Sequence, residues 1–142
     1  MAVNATAIKE LRERTQAGMS DCKSALEEAE GDMEKAVLVI LKKGLVKSAK
    51  RASAVAAEGE VRAAVTADKR AATMVEVNIQ TDFAARNDTF KQFVGDVLTL
   101  AQKAPKGADL STQPLAGKTV ADIATELTAK IGEKVEIGRA HV

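Results

Sequence analysis

The chain has 142 residues and a mass of 14.9 kDa, which suits one ordinary domain or two small ones and excludes a large multidomain enzyme. Hydrophobic residues make up 46% and charged residues 29%, so the chain can bury a core; 27 Ala against three Phe, with no Trp or Tyr, favour closely packed helices and rule out a large aromatic core. Twenty-one Lys and Arg nearly cancel 20 Asp and Glu, leaving a formal charge of +1, so no global field draws nucleic acid or a membrane and any charged partner must be met locally.

A lone cysteine, Cys22, excludes an intramolecular disulfide framework. With the single His141 it also leaves too few ligands for a usual zinc site and little scope for imidazole catalysis. The first fifteen residues mix Lys9, Arg12 and Arg14 with Glu10 and Glu13 and lack the apolar core of a signal peptide. No apolar run approaches the roughly 18 residues of a membrane span. The expected location is cytoplasmic.

The first helix is expected behind a cap at Asn4 or Thr6, with Ile8 and Leu11 on one face, and Gly18 interrupts it. Ser20 or Asp21 then caps a second helix whose Cys22, Ala25, Leu26 and Ala29 follow helical spacing until Gly31; on that stripe Cys22 reads as a buried small hydrophobe. Asp32 caps a third, with Met33, Ala36, Val37, Ile40 and Leu41 in register, and Gly44 stands where a terminator belongs. Helices this short are not stable alone in water, so their apolar faces must pack into a three-helix bundle.

Lys42, Lys43, Lys47, Lys50 and Arg51 place five basic groups in ten positions with no acid. The stretch from residue 45 to 58 reads as a helical linker with a basic face, either solvated or touching an acidic partner or RNA. Aromatic stacking groups for RNA are missing there.

After Gly59 the period becomes two. Val61, Ala63 and Val65 alternate, residues 67–70 turn, and Val75, Val77 and Ile79 alternate again, which predicts an antiparallel hairpin. Asp88 is the expected cap of a long helix carrying Phe90, Phe93, Val94, Val97, Leu98 and Ala101. After a loop through Pro105, Gly107, Pro114 and Gly117, a last helix with Val120, Ile123, Ala124, Leu127 and Ile131 closes at Gly132, and Val135 with Ile137 suggests a third strand. The fold class is therefore α+β: the bundle over 1–44, the linker over 45–58, and over 59–142 a core with a small antiparallel sheet packed by helices.

Chemistry is sparse. The segment 112–119 imitates a phosphate loop, but Thr112 replaces the first glycine and no strand precedes it, so a plain loop with Thr119 capping the next helix is the better reading. No catalytic constellation is found. The oddity is Phe83 beside Asp82, in a turn between strand and helix. Phe83 either folds back under the helix of Phe90 and Phe93 or projects as an anchor for a partner's pocket, and periodicity does not choose.

The residues themselves resemble a known family. The run from Leu11 to Thr15, Ala17-Gly18-Met19, Asp21-Cys22-Lys23-Ser24-Ala25-Leu26 and Gly31-Asp32 are similar to the N-terminal signature of bacterial translation elongation factor Ts. The later Glu76-Val77-Asn78 and the run from Gln80 to Asn87 resemble the second signature, and the run from Lys130 to Val135 resembles the start of that family's second core half. The resemblance implies a ubiquitin-associated-like bundle followed by a core subdomain, acting without cofactor or bond chemistry as a guanine-nucleotide exchange factor on elongation factor Tu, in its GDP-bound and nucleotide-free states. It implies that Asp82 and Phe83 form a wedge near the Mg²⁺ and phosphate site, with Thr81 shaping the turn. Arg12, Met19, Ser20 and Lys23 would grip the GTPase, Ser20 standing where many members have Met. Members commonly continue into a second core subdomain, so the chain reads as a fragment. Two readings stay open: an exchange factor, or a fragment that docks without releasing nucleotide. The edge at Val135 and Ile137 invites pairing with a second copy.

Overall fold

Side-chain caps and close crossings, rather than glycine punctuation alone, set where the helices begin and end. In the computed structural model, which describes residues 3–141, Asn4 accepts from the Ala7 N–H at 2.7 Å and opens α1 (Ala5–Thr15). Helix α2 (Met19–Glu28) begins directly behind Gly18 without a side-chain cap, ahead of the expected Ser20 or Asp21. Asp21 sits instead in its first turn, where a carboxylate complements the positive helix end, and pairs with Lys47 at 2.6 Å. Asp32 accepts from the Lys35 N–H at 3.0 Å and opens α3 (Met33–Lys50) as expected.

Helix α3 does not stop at Gly44. It continues to Lys50, turns follow over 51–53, and β1 (Glu58–Val65) begins, so the stretch after Gly44 is helical only in its first part. β2 (Ala72–Ile79) pairs with β1 antiparallel, from Val65 opposite Ala72 to Glu58 opposite Ile79, the expected hairpin. A single helical turn, α4 (Asp82–Ala85), stands where the sequence suggested a plain turn. α5 (Asp88–Lys103) is the long amphipathic helix, capped by Asn87 rather than Asp88: the Asn87 side chain accepts from the Thr89 and Phe90 N–H groups at 2.9 and 3.3 Å.

The loop that followed contains a short 3-10 turn (Leu110–Thr112) and a small hairpin, β3 (Pro114–Leu115) with β4 (Lys118–Thr119). Its two central residues, Ala116 and Gly117, both have positive φ (51° and 80°), as a two-residue hairpin requires. The phosphate-loop imitation is therefore a hairpin, and Lys118 is paired with Glu126. α6 (Val120–Ile131) opens on a capping box: Thr119 accepts from the Asp122 N–H at 3.1 Å while Asp122 accepts from the Thr119 N–H at 3.3 Å. It closes on Gly132, whose φ of 82° is left-handed. β5 (Glu136–His141) then joins the far side of β2, giving the strand order β1-β2-β5. Its register slips by one residue between Val75 and Val77, so Val75 faces Ala140 and Val77 faces Ile137. Val135, expected in this strand, precedes it and is buried in the core.

Two buried clusters result. In the bundle, Leu11, Cys22, Ala25, Leu26 and Ala36 interlock with no exposed surface. In the core, the inward side chains of β2 (Val75, Val77, Ile79) meet Phe90, Phe93, Val94 and Val97 from α5 and Val120, Ala124 and Leu127 from α6. The clusters are joined where α3 crosses α6. A Cβ on Gly44 would lie 3.2 Å from the Ala129 Cβ, so Gly44 permits a close helix crossing instead of ending a helix. α2 also draws the basic stretch inward, because Lys43 pairs with Glu28 at 3.0 Å and Lys47 with Asp21. No helix among the described residues is long and apolar enough to cross a membrane.

Phe90 is fully buried at the meeting of sheet and helices. Its replacement by Ala should lower the unfolding free energy by about 3–5 kcal/mol in a urea melt; a smaller loss than about 1 kcal/mol would show that the core collapses around the gap. The Asp122 carboxyl is held below its usual pKa by hydrogen bonding with Thr119, through its side chain and then its backbone. A depressed folded-state pKa stabilises above the unfolded value, roughly pH 4, and that gain is lost as pH falls through the folded value. Asp122→Ala should thus lower the thermal midpoint at pH 7, with the gap to the parent chain closing in acid; a gap independent of pH would exclude the carboxylate as its source.

Candidate functional site

At the end of β2 the alternation that buries Ile79 turns Gln80 outward, and the next residue, Thr81, remains extended (φ −126°, ψ 151°) as the cap of α4. The Thr81 hydroxyl accepts from the Ala84 N–H at 3.1 Å. The same hydroxyl donates to Glu133 at 2.8 Å, and the Thr81 N–H donates to the other Glu133 carboxylate oxygen at 2.9 Å. Beside it the Lys134 N–H donates to the Gln80 side-chain carbonyl at 2.7 Å. The strand end and the α6–β5 connection, more than fifty residues apart in the chain, are thereby stitched together.

This frame sorts the four residues of α4. Ala84 and Ala85 turn inward against the core. Asp82 and Phe83 turn out: Phe83 is 85% exposed, while Phe90 and Phe93 are buried. Of the two alternatives in the sequence, folding back under α5 is therefore excluded. Asp82 has only Arg86 beside it, at 3.8 Å with both side chains more than 70% exposed, a contact of little energetic weight in water. An aromatic ring held in solvent adds nothing to the fold's own burial. Fully covered by a partner it is worth about 1.5–3 kcal/mol.

The remaining residues singled out in the sequence lie on the bundle. Arg12 is in the last turn of α1, Met19 and Ser20 open α2, and Lys23 follows Met19 by one turn; all four are exposed. Lys23 is 3.9 Å from Glu27. Among the described residues no hydrogen bond or ion pair joins these four, on α1 and α2, to Thr81, Asp82 or Phe83 at α4. Also among the described residues, no group of three or more His, Cys, Asp or Glu side chains is placed to hold a metal. Cys22 is buried, in keeping with a structural role.

Sequence reasoning missed Gln80, Glu133 and Lys134 as parts of the frame. Their partners lie across the fold, and no local spacing announces them; the resemblance singled out both runs and Gly132 marks a turn, but neither says what the turn holds.

A family model described as elongation factor TS matches residues 80–142, a span that includes the α4 tip and Glu133. Curated relatives extend the likeness to the whole chain. Elongation factor Ts of Malacoplasma penetrans is 46% identical over 143 residues, covering 100% of this chain and 48% of the relative. That of Trichlorobacter lovleyi is 49% identical, covering 98% and 46%, and that of Arthrospira platensis 46% identical, covering 99% and 58%. The chain spans about half the length of the curated relatives it matches. The α4 tip lies inside the family-model match and the bundle residues inside the alignments with these relatives, so the chain matches the elongation factor Ts family along its whole length with nearly half of all positions identical.

Proposed function

We propose that this chain is a guanine-nucleotide exchange module that binds elongation factor Tu carrying GDP and promotes GDP release without making or breaking a covalent bond. The observation that carries the reading is Phe83, almost fully exposed on a capped helical turn whose other face is packed into the core. In this reading Asp82 and Phe83 enter the partner near its Mg²⁺ and phosphate site, and Thr81 sets the turn. Arg12, Met19, Ser20 and Lys23 dock the bundle, through about residue 44, on the GTPase; the separate bundle cluster supports such a division from the core that begins near residue 59.

The mechanism is thermodynamic linkage. If the module binds nucleotide-free partner more tightly than the GDP complex, GDP binds the module complex more weakly by the same factor. Each tenfold weakening requires about 1.4 kcal/mol of differential binding. Burial of one aromatic anchor is of that size, provided the pocket it enters is available only when the nucleotide site is disturbed. Asp82 brings a negative charge to the tip, which would oppose the nucleotide phosphates and offer an oxygen ligand to the partner's Mg²⁺.

A second reading has one observation behind it: the chain matches about half of its relatives. In that reading the bundle docks and the nucleotide stays. The rate of labelled GDP release from elongation factor Tu, with and without excess chain, separates the two. Acceleration supports exchange; tight binding with an unchanged release rate supports docking alone.

Phe83→Ala should leave the unfolding free energy from a denaturant melt within about 0.5 kcal/mol of the parent, because an exposed side chain stabilises nothing. The same variant should slow stimulated release by at least tenfold. Release at the parent's rate would remove Phe83 from the mechanism.

A further inference from the structure

A single turn of helix does not hold itself together in water, since its few hydrogen bonds do not offset the cost of fixing the backbone. α4 has four residues, and two of its three backbone contacts are long: the Ala85 N–H reaches the Thr81 carbonyl at 3.2 Å and the Arg86 N–H the Phe83 carbonyl at 3.3 Å, against 3.0 Å from the Asn87 N–H to the Ala84 carbonyl. What fixes the direction of Phe83 must come from outside the turn. Glu133 supplies it. One carboxylate oxygen takes the Thr81 N–H at 2.9 Å and the other the Thr81 hydroxyl at 2.8 Å. Bonds to a charged acceptor are roughly twice as strong as neutral ones. With its proton committed to Glu133, the hydroxyl turns a lone pair to the Ala84 N–H at 3.1 Å and so keeps the cap closed.

Glu133 is itself held. The neighbouring Lys134 donates its N–H to Gln80, and its ammonium reaches the Ala52 and Ala54 carbonyls at 2.9 and 3.3 Å while pairing with Glu136 at 3.2 Å. The same turn therefore grips the strand that leads into the tip and the connector that leads from the bundle.

We propose that Glu133 is a positioning residue for the Asp82-Phe83 tip, acting only through Thr81 and setting the direction in which Phe83 meets the partner. This rests on the reading of the tip as the exchange element. Glutamine at 133 keeps the size of the side chain but offers one carbonyl to two donors, so it cannot hold the N–H and the hydroxyl as the carboxylate does. Serine at 81 keeps both donors and serves as the conservative control.

The test compares the parent 142-residue chain with Glu133→Gln, Thr81→Ser and Phe83→Ala. It measures the maximal rate and half-saturating concentration for labelled GDP release from elongation factor Tu, together with amide hydrogen exchange of the free chain. Glu133→Gln is expected to lower the maximal rate at least tenfold with less than a threefold change in half-saturation. It should speed amide exchange at Thr81 and Ala84 while leaving the α5 amides protected, and Thr81→Ser, which keeps both donors, should leave the Ala84 amide as protected as in the parent. Two results overturn the proposal while leaving the tip reading intact: Glu133→Gln releasing GDP at the parent's maximal rate when Phe83→Ala does not, or a change in half-saturation alone. Parental activity of Phe83→Ala overturns the tip reading, and the proposal with it. The amide measurement needs no exchange activity, so unchanged protection at Thr81 and Ala84 in Glu133→Gln overturns the proposal even for a chain that only docks.

Discussion

The turn between α6 and β5 is the constraint on which the rest of the molecule depends. Within four residues, Gly132 adopts the left-handed conformation that ends the helix, Glu133 takes both donors of Thr81, Lys134 binds Gln80 and the connector, and the Val135 N–H reaches the buried Thr128 hydroxyl at 3.0 Å. Thr128 in turn donates to the Ala124 carbonyl, so this interior polar group has both its roles filled. A buried hydroxyl or amide left without a partner costs about 1–3 kcal/mol, more than a single exposed ion pair returns. The turn thus closes the core, the strand end and the bundle connection at once.

A second constraint is the crossing of α3 and α6. α3 belongs to the bundle by its first turns, where Ala36 is buried among Leu11, Cys22 and Leu26, and to the core by its later ones, where Gly44 lies against Ala129. A glycine in mid-helix costs roughly 1 kcal/mol of propensity relative to alanine. The close approach it allows recovers part of that in contact between the helices. The basic residues of the same helix follow from this geometry: Lys43 and Lys47 face α2 and meet Glu28 and Asp21, so a run of charge that looked like one solvated face is divided between the fold and the surface.

Much of this architecture was legible in the sequence because it is written locally. The period-two run from Val75 to Ile79, the helical stripe from Phe90 to Ala101, the Asn4, Asp32 and Thr119 caps and the Gly132 terminator all declare themselves within a few residues. The misreadings have distinct origins. Gly44 looked like a stop because its reason for being glycine, Ala129, lies far along the chain; Asp88 looked like a cap because Asn87 before it offers the same chemistry. Segment 112–119 read as a plain loop because strands of two residues, β3 and β4, are too short to show an alternation. For Phe83 the sequence stated the oddity but not its resolution, since exposure depends on where Ala84 and Ala85 find the core.

The separation between frame and tip has an energetic meaning. A flexible loop that presents an aromatic anchor must be ordered on binding, at roughly 0.5–1.5 kcal/mol for each immobilised side chain and about 1–2 kcal/mol for each backbone residue fixed. In this chain that ordering is completed during folding: Thr81 is tied to Glu133, Ala84 and Ala85 are packed, and α5 begins at once behind the Asn87 cap. Of the four residues of α4, Asp82 and Phe83 are left facing water. In the proposed reading, the binding energy of the ring is then free to favour one state of the partner over another. Differential affinity of that kind, rather than affinity itself, is what shifts a nucleotide equilibrium.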